Sequence, residues 1–302
     1  MLELKEQYLA LKDKVLEKRF SKMNPMQREA IFQMDGPVLI LAGAGSGKTT
    51  VIINRIAYMI RFGNAKPSAW MPDGIGEEQH SVLQAYLDGE NVPDEILSEL
   101  IGRYPVRPWN ILAITFTNKA ANEMKDRLQL MLGEEALDVA ASTFHSCCVR
   151  ILRRDIERLG YSRSFTIYDA DDSQRLIKDC MNELNLNDKL FKPKAILGEI
   201  SRAKDSMISP RDYLLTVGSD YRKQEIAKVY GRYQSRLLQA NALDFDDIIC
   251  KTVELFEQYP DVLEYYQNRW RYILVDEYQD TNHAQFKLVS LLARAHKNLC
   301  VV

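Results

Sequence analysis

The sequence predicts an α/β fold, a parallel sheet covered by helices with an all-helical subdomain inserted into it. Three observations predict this. The apolar runs Val38-Leu39-Ile40-Leu41, Ile111-Leu112-Ala113-Ile114 and Tyr272-Ile273-Leu274-Val275 do not alternate, so they read as strands buried on both faces. Each run leads through a turn into a segment with helical spacing, the order expected when helices cover a parallel sheet. Residues 160–240 are almost wholly helical in pattern.

In chain order, residues 1–20 read as a helix with Leu2, Leu9, Leu16 and Phe20 along one side. Asn24 is a good N-cap and Pro25 a good first residue for a second helix. The strand at Val38–Leu41 runs into Gly43, Gly45 and Gly47, and a helix follows over Val51–Ile60. From 64 to 107 the composition turns loop-like, with short helices at Ser81–Leu87 and Asp94–Ile101, so about forty residues read as a surface insertion. After the strand at 111–114 a helix extends through Leu132, and Val139-Ala140-Ala141-Ser142 is a short strand. The next helix carries Val149, Leu152, Ile156 and Leu159 on one stripe. Arg150, Arg154 and Arg158 form another, which reads as a solvated face. The helical stretch breaks near Gly160, Asp188–Pro193, Ser209-Pro210 and Gly218. Leu299-Cys300-Val301-Val302 opens a further strand.

No run approaches 18 uninterrupted apolar residues, and the charged first twenty residues hold no signal-peptide core, so a cytoplasmic location is expected. The five cysteines form no Cys-x-x-Cys pair and read as buried free thiols, not zinc ligands or disulfides. With a net charge of −2, any nucleic-acid surface has to be local.

The chemistry centres on Ala42-Gly43-Ala44-Gly45-Ser46-Gly47-Lys48-Thr49-Thr50. Glycines let the backbone aim its N–H groups at one point, and the following helix adds its positive end, so the turn suits an anion. Lys48 supplies a mobile charge for the β/γ-phosphates and Thr49 a hydroxyl for Mg²⁺. The strict pattern has glycine where this chain has Ala42. The turn reads as a nucleoside triphosphate site. Gln27, third in its helix, has two readings: half of a capping box, or an amide able to pair with N6 and N7 of adenine. Asp276-Glu277 ends a buried strand. Two strand ends side by side would set Asp276 on the metal held by Thr49, with Glu277 polarising the attacking water. Thr115–Lys119 and Thr143–His145 also follow strands. Phe116 suits base stacking, and Thr117, Asn118 and Lys119 offer donors to phosphates; ordinary loop capping is the competing reading. His145 taken alone reads as a structural histidine.

The runs NPMQREAI (24–31), LAGAGSGKTT (41–50), ILAITFTNKAANEM (111–124), STFHS (142–146), LDFDDII (243–249) and ILVDEYQDTN (273–282) together resemble the N-terminal part of superfamily-one DNA helicases of the UvrD/PcrA/Rep type. The resemblance implies a RecA-like, P-loop NTPase sheet. Residues 1–146 and 242–302 would form the ATP-binding motor domain 1A, and 147–241 the helical accessory domain 1B. It implies that Gln27 reads adenine, Lys48 and Thr49 hold phosphate and Mg²⁺, Asp276 binds the metal and Glu277 activates water. Phe116, Thr117, Asn118, Lys119, Thr143 and His145 would lie along single-stranded DNA, with movement 3′ to 5′, and Asp244–Asp247 would mark the return to the motor domain. Thr50 stands where close members often carry a basic residue. The family's glutamine-bearing motif and second motor domain would follow residue 302, so slow hydrolysis and no unwinding are expected of these residues alone. Other readings are a nucleotide-gated interaction module docking through 64–107, a nuclease-coupled relative, and a small-molecule kinase.

Overall fold

Strands β1 (Val38–Leu39), β2 (Ile111–Thr115), β3 (Ala140–Thr143), β6 (Tyr272–Val275) and β7 (Leu299–Val301) build a five-stranded sheet in the order β1-β7-β6-β2-β3. β4 (Thr166–Ile167) and β5 (Ala242–Leu243) pair separately, parallel to one another. The computed structural model describes residues 2–43, 45–66, 69–187 and 190–302, with the side chains of Leu2 and Glu3 left out. Ala44 of the phosphate-loop pattern, Pro67 and Ser68 of the insertion, and Asp188 and Lys189 of the predicted break therefore lie outside the described residues, as does Met1.

The parallel registers pair Val38 with Cys300, Val275 with Val301, and Ile114 with Val275. The carboxyl ends of β1, β7, β6 and β2 therefore fall at one edge, where ligands bind in sheets of this kind. β2 and β6 match the expectation of strands buried on both faces: every residue of β2 is buried, as are Ile273, Leu274 and Val275. β1 does not. It is a two-residue edge strand, and Leu39 is 64% and Leu41 85% exposed. At an edge only one side of a strand is paired, and only the alternate residues Val38 and Ile40 turn toward the core.

The chain forms two compact units. The first comprises Met1–Ser142, Asn268–Gln279 and Ala295–Val302. Its helices are α1 (Leu2–Arg19), α2 (Pro25–Phe32), α3 (Lys48–Arg61), α4 (Glu77–Asp88), α5 (Asp94–Ile101) and α6 (Asn118–Leu132). Ile52, Ile56 and Tyr58 of α3 join Ile111, Ala113 and Leu274 of the sheet in one core. The buried guanidinium of Arg55 donates to the carbonyls of Ala30 and, at 3.1 Å, Met34, so it fastens α3 to α2 and its outgoing turn.

The segment read as a surface insertion is structural. Leu83 of α4 and Leu97 and Ile101 of α5 are fully buried in the same core, and α4 packs on α1. Arg19 of α1 makes a two-pronged pair with Asp94, and Lys18 donates to the carbonyls of Tyr86 and Leu87. Its polar, Pro- and Gly-marked stretches suggested a loop, although Leu97 and Ile101 stand four residues apart on one helix face.

The second unit comprises Thr143–Gln267 and Asp280–Arg294. Its helices are α7 (Phe144–Asp155), α8 (Ala170–Glu183), α9 (Pro193–Asp205), α10 (Pro210–Thr216), α11 (Tyr221–Gln239), α12 (Phe245–Gln258), α13 (Pro260–Arg269, as far as Gln267) and α14 (His283–Ala293). The boundaries differ from the sequence-based division at 147–241: α12, α13 and α14 also belong to this unit, where α12 lies against α7, α9 and α14. Ile177, Ile200, Val229 and Tyr233 centre its core. Within this unit Arg154 lies 3.5 Å over the Tyr265 ring and Arg158 pairs with Asp261 at 2.7 Å, so the arginine stripe fastens α7 and its following turn to α13. Among the described residues the five cysteines are free, with four buried and Cys250 partly so, and no helix is long and apolar enough to cross a membrane.

Candidate nucleotide and nucleic-acid sites

The glycine-rich turn meets α3 at Gly47, an N-cap with a left-handed φ of 82° and no side-chain hydrogen bond to the helix. The first N–H groups of α3 therefore keep their donor capacity for an anion. Gly45 also has positive φ (75°), and Ser46 closes the turn by donating from Oγ to the Gly43 carbonyl at 2.7 Å.

Lys48 and Thr49, the first two residues of α3, meet the acidic pair that follows β6. Thr49 Oγ1 donates to Asp276 Oδ2 at 2.7 Å, and Lys48 Nζ lies 3.0 Å from Glu277 Oε2. The expectation of two adjacent strand ends needs correcting, because β7 lies between β1 and β6. Contact is made by the turn and by α3, which carry Lys48 and Thr49 beyond the strand edge.

The two carboxylates differ in environment. Asp276 is 4% exposed, and burial, only partly offset by the Thr49 hydroxyl, pushes its pKa above the usual carboxylate range. Glu277 is held below its usual range by hydrogen bonds from the Gln279 amide and the Lys48 ammonium. Its φ of 53° puts a non-glycine residue in the left-handed region, a strain of about 1–3 kcal/mol of the kind that collects at functional sites. The same contacts keep Glu277 ionised, and so open to a proton, while they lower its basicity. Thr49 and Asp276 offer a hydroxyl and a carboxylate, the hard oxygen donors Mg²⁺ takes when phosphates and water complete its shell. Among the described residues no group of three or more His, Cys, Asp or Glu is placed to hold a metal.

Gln27 performs the capping role in full: its N–H donates to Asn24 Oδ1 and its Oε1 accepts from Asn24 N, both at 2.9 Å. Its Nε2 also donates to the Ser46 carbonyl at 3.0 Å, joining α2 to the phosphate loop. A primary amide has two N–H donors and two lone pairs, so one of each remains for a base. Beside it lies a cavity of about 460 Å³ walled by Met26, Pro37, Leu39 and Leu41, with Ala42 and Ser46 at its rim. Asn24, Glu29 and Gln33 line it as well, and apolar walls with a few placed polar side chains make a pocket of the kind that takes an aromatic base. Thr50 Oγ1 accepts from Arg127 Nη2 at 2.8 Å, so α6 brings a cation to the spot where a basic residue was missing from the sequence. Nothing local marks Arg127 for this, since it lies 77 residues away in the chain.

After β2, Phe116 is half-buried, while Thr117, Asn118 and Lys119 are exposed. Thr117 Oγ1 caps α6 by accepting from Ala120 N at 3.1 Å. In the second unit Thr143 is buried, and its Oγ1 caps α7 by accepting from Ser146 N at 3.2 Å. Capping uses one lone pair of each threonine hydroxyl, and Thr143 also donates to Ser146 Oγ at 2.9 Å. His145 stacks on Phe245, their centroids 3.7 Å apart and planes 22° from parallel. Burial pulls the His145 pKa down to about 4, against a hydrogen bond to the Phe245 backbone, so the imidazole is neutral at pH 7. Phe245 itself is 58% exposed. Sequence reasoning noted only the acidic run around it; a phenylalanine at the first position of a capped helix was the signal available.

The sequence model of the UvrD/REP helicase N-terminal domain matches residues 23–71 and 95–302. An ATP-dependent DNA helicase PcrA of Bacillus subtilis (strain 168) is 46% identical over 282 residues, 93% of this chain and 32% of the relative. Proteins of the same name from Staphylococcus aureus (strain Mu50) and Staphylococcus epidermidis are each 46% identical over 280 residues, 93% of this chain and 33% of theirs. The chain thus spans about a third of the length of these relatives.

Proposed function

The chain belongs to the UvrD/REP helicase family, and from that premise we propose that it is the part of an ATP-dependent DNA helicase that binds Mg²⁺-ATP and grips single-stranded DNA. The observation carrying this reading is the convergence of Thr49 on Asp276 and of Lys48 on Glu277. Backbone N–H groups from Gly45 to Thr50 cradle the phosphates, and Lys48 neutralises the charge that grows between the β- and γ-groups. Thr49 and Asp276 would hold Mg²⁺, which supplies Lewis-acid charge stabilisation when bound. Glu277 takes the proton of the attacking water. Gln27 reads the adenine edge from the cavity beside Met26 and Leu39. Arg127 faces the same first turn of α3.

For DNA, each unit contributes its own surface: Phe116, Asn118 and Lys119 in the first, and the His145–Phe245 stack in the second. The capping hydroxyls of Thr117 and Thr143 set the ends of α6 and α7 at these surfaces. The first unit acts as the motor domain and the second as the accessory domain. The sequence-based alternative of docking through 64–107 gains nothing from the structure, since that segment supplies core residues.

Titration of the 302-residue chain with a fluorescent ATP analogue, with and without Mg²⁺, and with a fluorescein-labelled oligothymidylate tests the proposal. Saturable nucleotide binding strengthened by Mg²⁺ is expected; binding that ignores the cation would overturn the metal assignment. Because burial raises the Asp276 pKa, protons compete with the cation early. The Mg²⁺-dependent part of the affinity should weaken on acidification while ordinary carboxylates are still ionised. Gln27→Ala should cut the preference for ATP over GTP by about tenfold, the worth of a two-point amide–adenine contact. Competition with GTP measures it, and an unchanged preference would leave Gln27 as a cap only.

A further inference from the structure

The second unit buries three charged side chains at one point. Lys204 of α9, 2% exposed, places Nζ 2.6 Å from Asp244 Oδ2 and 2.9 Å from Asp247 Oδ1. Tyr233 OH donates to Asp244 Oδ2 at 2.9 Å and Gln234 Nε2 to Asp247 Oδ1 at 3.1 Å. Asp244 is also the N-cap of α12, where its Oδ1 accepts from Asp247 N at 2.8 Å. Burial opposes the charge on Asp244, yet the Lys204 ammonium outweighs it and holds that carboxyl below its usual range.

A buried ion cluster is poor value as a source of stability, since apolar residues of equal volume often do as well. Its distinctive property is direction: both carboxylates must face the ammonium, which allows one arrangement of the turn that bears them. That turn is the first of α12, and its first residue is Phe245, which with Asp246 lies between the two carboxylates. An exposed phenylalanine gains little from its own burial, so its direction must come from the backbone beneath it.

We propose that Lys204 is a positioning residue for nucleic-acid binding: clamped between Asp244 and Asp247, it fixes the first turn of α12 so that Phe245 lies flat on His145 and presents a stacking face to a base of single-stranded DNA. This rests on the reading of the His145–Phe245 pair as part of the DNA surface. Lys204 touches no base itself. It acts from α9 through α12, and its removal leaves two buried carboxylates that repel each other and loosen the cap.

The test is a double-mutant cycle in the 302-residue chain, read by anisotropy of a fluorescein-labelled oligothymidylate. Phe245→Ala should lose about tenfold in affinity, within the range of one base–aromatic stack. Lys204→Met should lose a similar factor in the wild-type background and almost none in the Phe245→Ala background, since the two act as one unit. Equal losses in both backgrounds would overturn the proposal, because a general loss of stability does not depend on Phe245. Asp247→Asn keeps the volume and gives a second, milder arm should Lys204→Met fold poorly, with a loss of about threefold that vanishes in the same way. The His145 ring-proton shifts give a readout independent of DNA. Stacking under Phe245 displaces them, and either Lys204→Met or Asp247→Asn should move them toward free-histidine positions. Shifts that stay put overturn the positioning role. Phe245→Ala without any loss of affinity overturns the DNA reading instead.

Discussion

Lys48→Ala should lower the affinity proposed for Mg²⁺-ATP by at least about a hundredfold, the effect of removing two charge-assisted hydrogen bonds worth roughly 1.5–3 kcal/mol each. The ammonium stands at the start of α3, 3.0 Å from Glu277, and it is the basic side chain of the phosphate loop itself. The backbone donors and the helix end persist in the variant, so weak anion binding survives. Stability should barely change, because Glu277 is 44% exposed and water replaces its lost partner. Fluorescent-nucleotide titration and a thermal melt separate the two effects. A variant that binds nucleotide as tightly as the parent would remove the phosphate assignment, and with it the roles given to Thr49 and Asp276.

Glu277→Gln acts on the other side of the reaction. The amide cannot accept the proton of the attacking water, so single-turnover hydrolysis should slow by about 10²- to 10⁴-fold, the usual contribution of a positioned general base. Nucleotide binding should hold or tighten, since a negative charge leaves the neighbourhood of the phosphates. Opposite movements of rate and affinity are the signature of a group that serves the transition state and not the bound substrate. Equal weakening of both would show instead that Glu277 matters only for holding Lys48. Asp276→Asn serves as the companion control: it should erase the Mg²⁺ dependence of binding, which Glu277→Gln leaves in place.

The residues proposed to hold nucleotide could be picked out because their signals are local. Glycines at 43, 45 and 47 and the Lys48-Thr49 pair act through adjacent backbone, and the acidic pair at 276–277 ends an apolar run that can only be a buried strand. The nucleic-acid surface was less legible. Thr117 and Thr143 bear hydroxyls that sequence reads equally as donors to phosphate or as helix caps, and the caps are in place. Phe245 lay unread within an acidic run, because an exposed aromatic and a core aromatic are the same letter. The insertion was misjudged for another reason: Leu97 and Ile101 stand at helical spacing, but the polar, Pro- and Gly-rich stretches around two short helices outweighed that pattern, and Leu83, Leu97 and Ile101 are all buried.

By itself the sequence determined the five sheet strands and the helices that follow them, a turn whose composition suits an anion, and an acid pair at the end of a buried strand, since each depends on residues within a few positions of one another. Only the tertiary structure decided the rest. It placed β7 between β1 and β6 while still joining Thr49 to Asp276, brought Arg127 to Thr50, and tied α3 to α2 through Arg55. It also set Lys204 beneath the turn that carries Phe245. These are meetings between residues tens to hundreds of positions apart. They are settled by how layers pack and which buried charges find partners, and no local pattern records that.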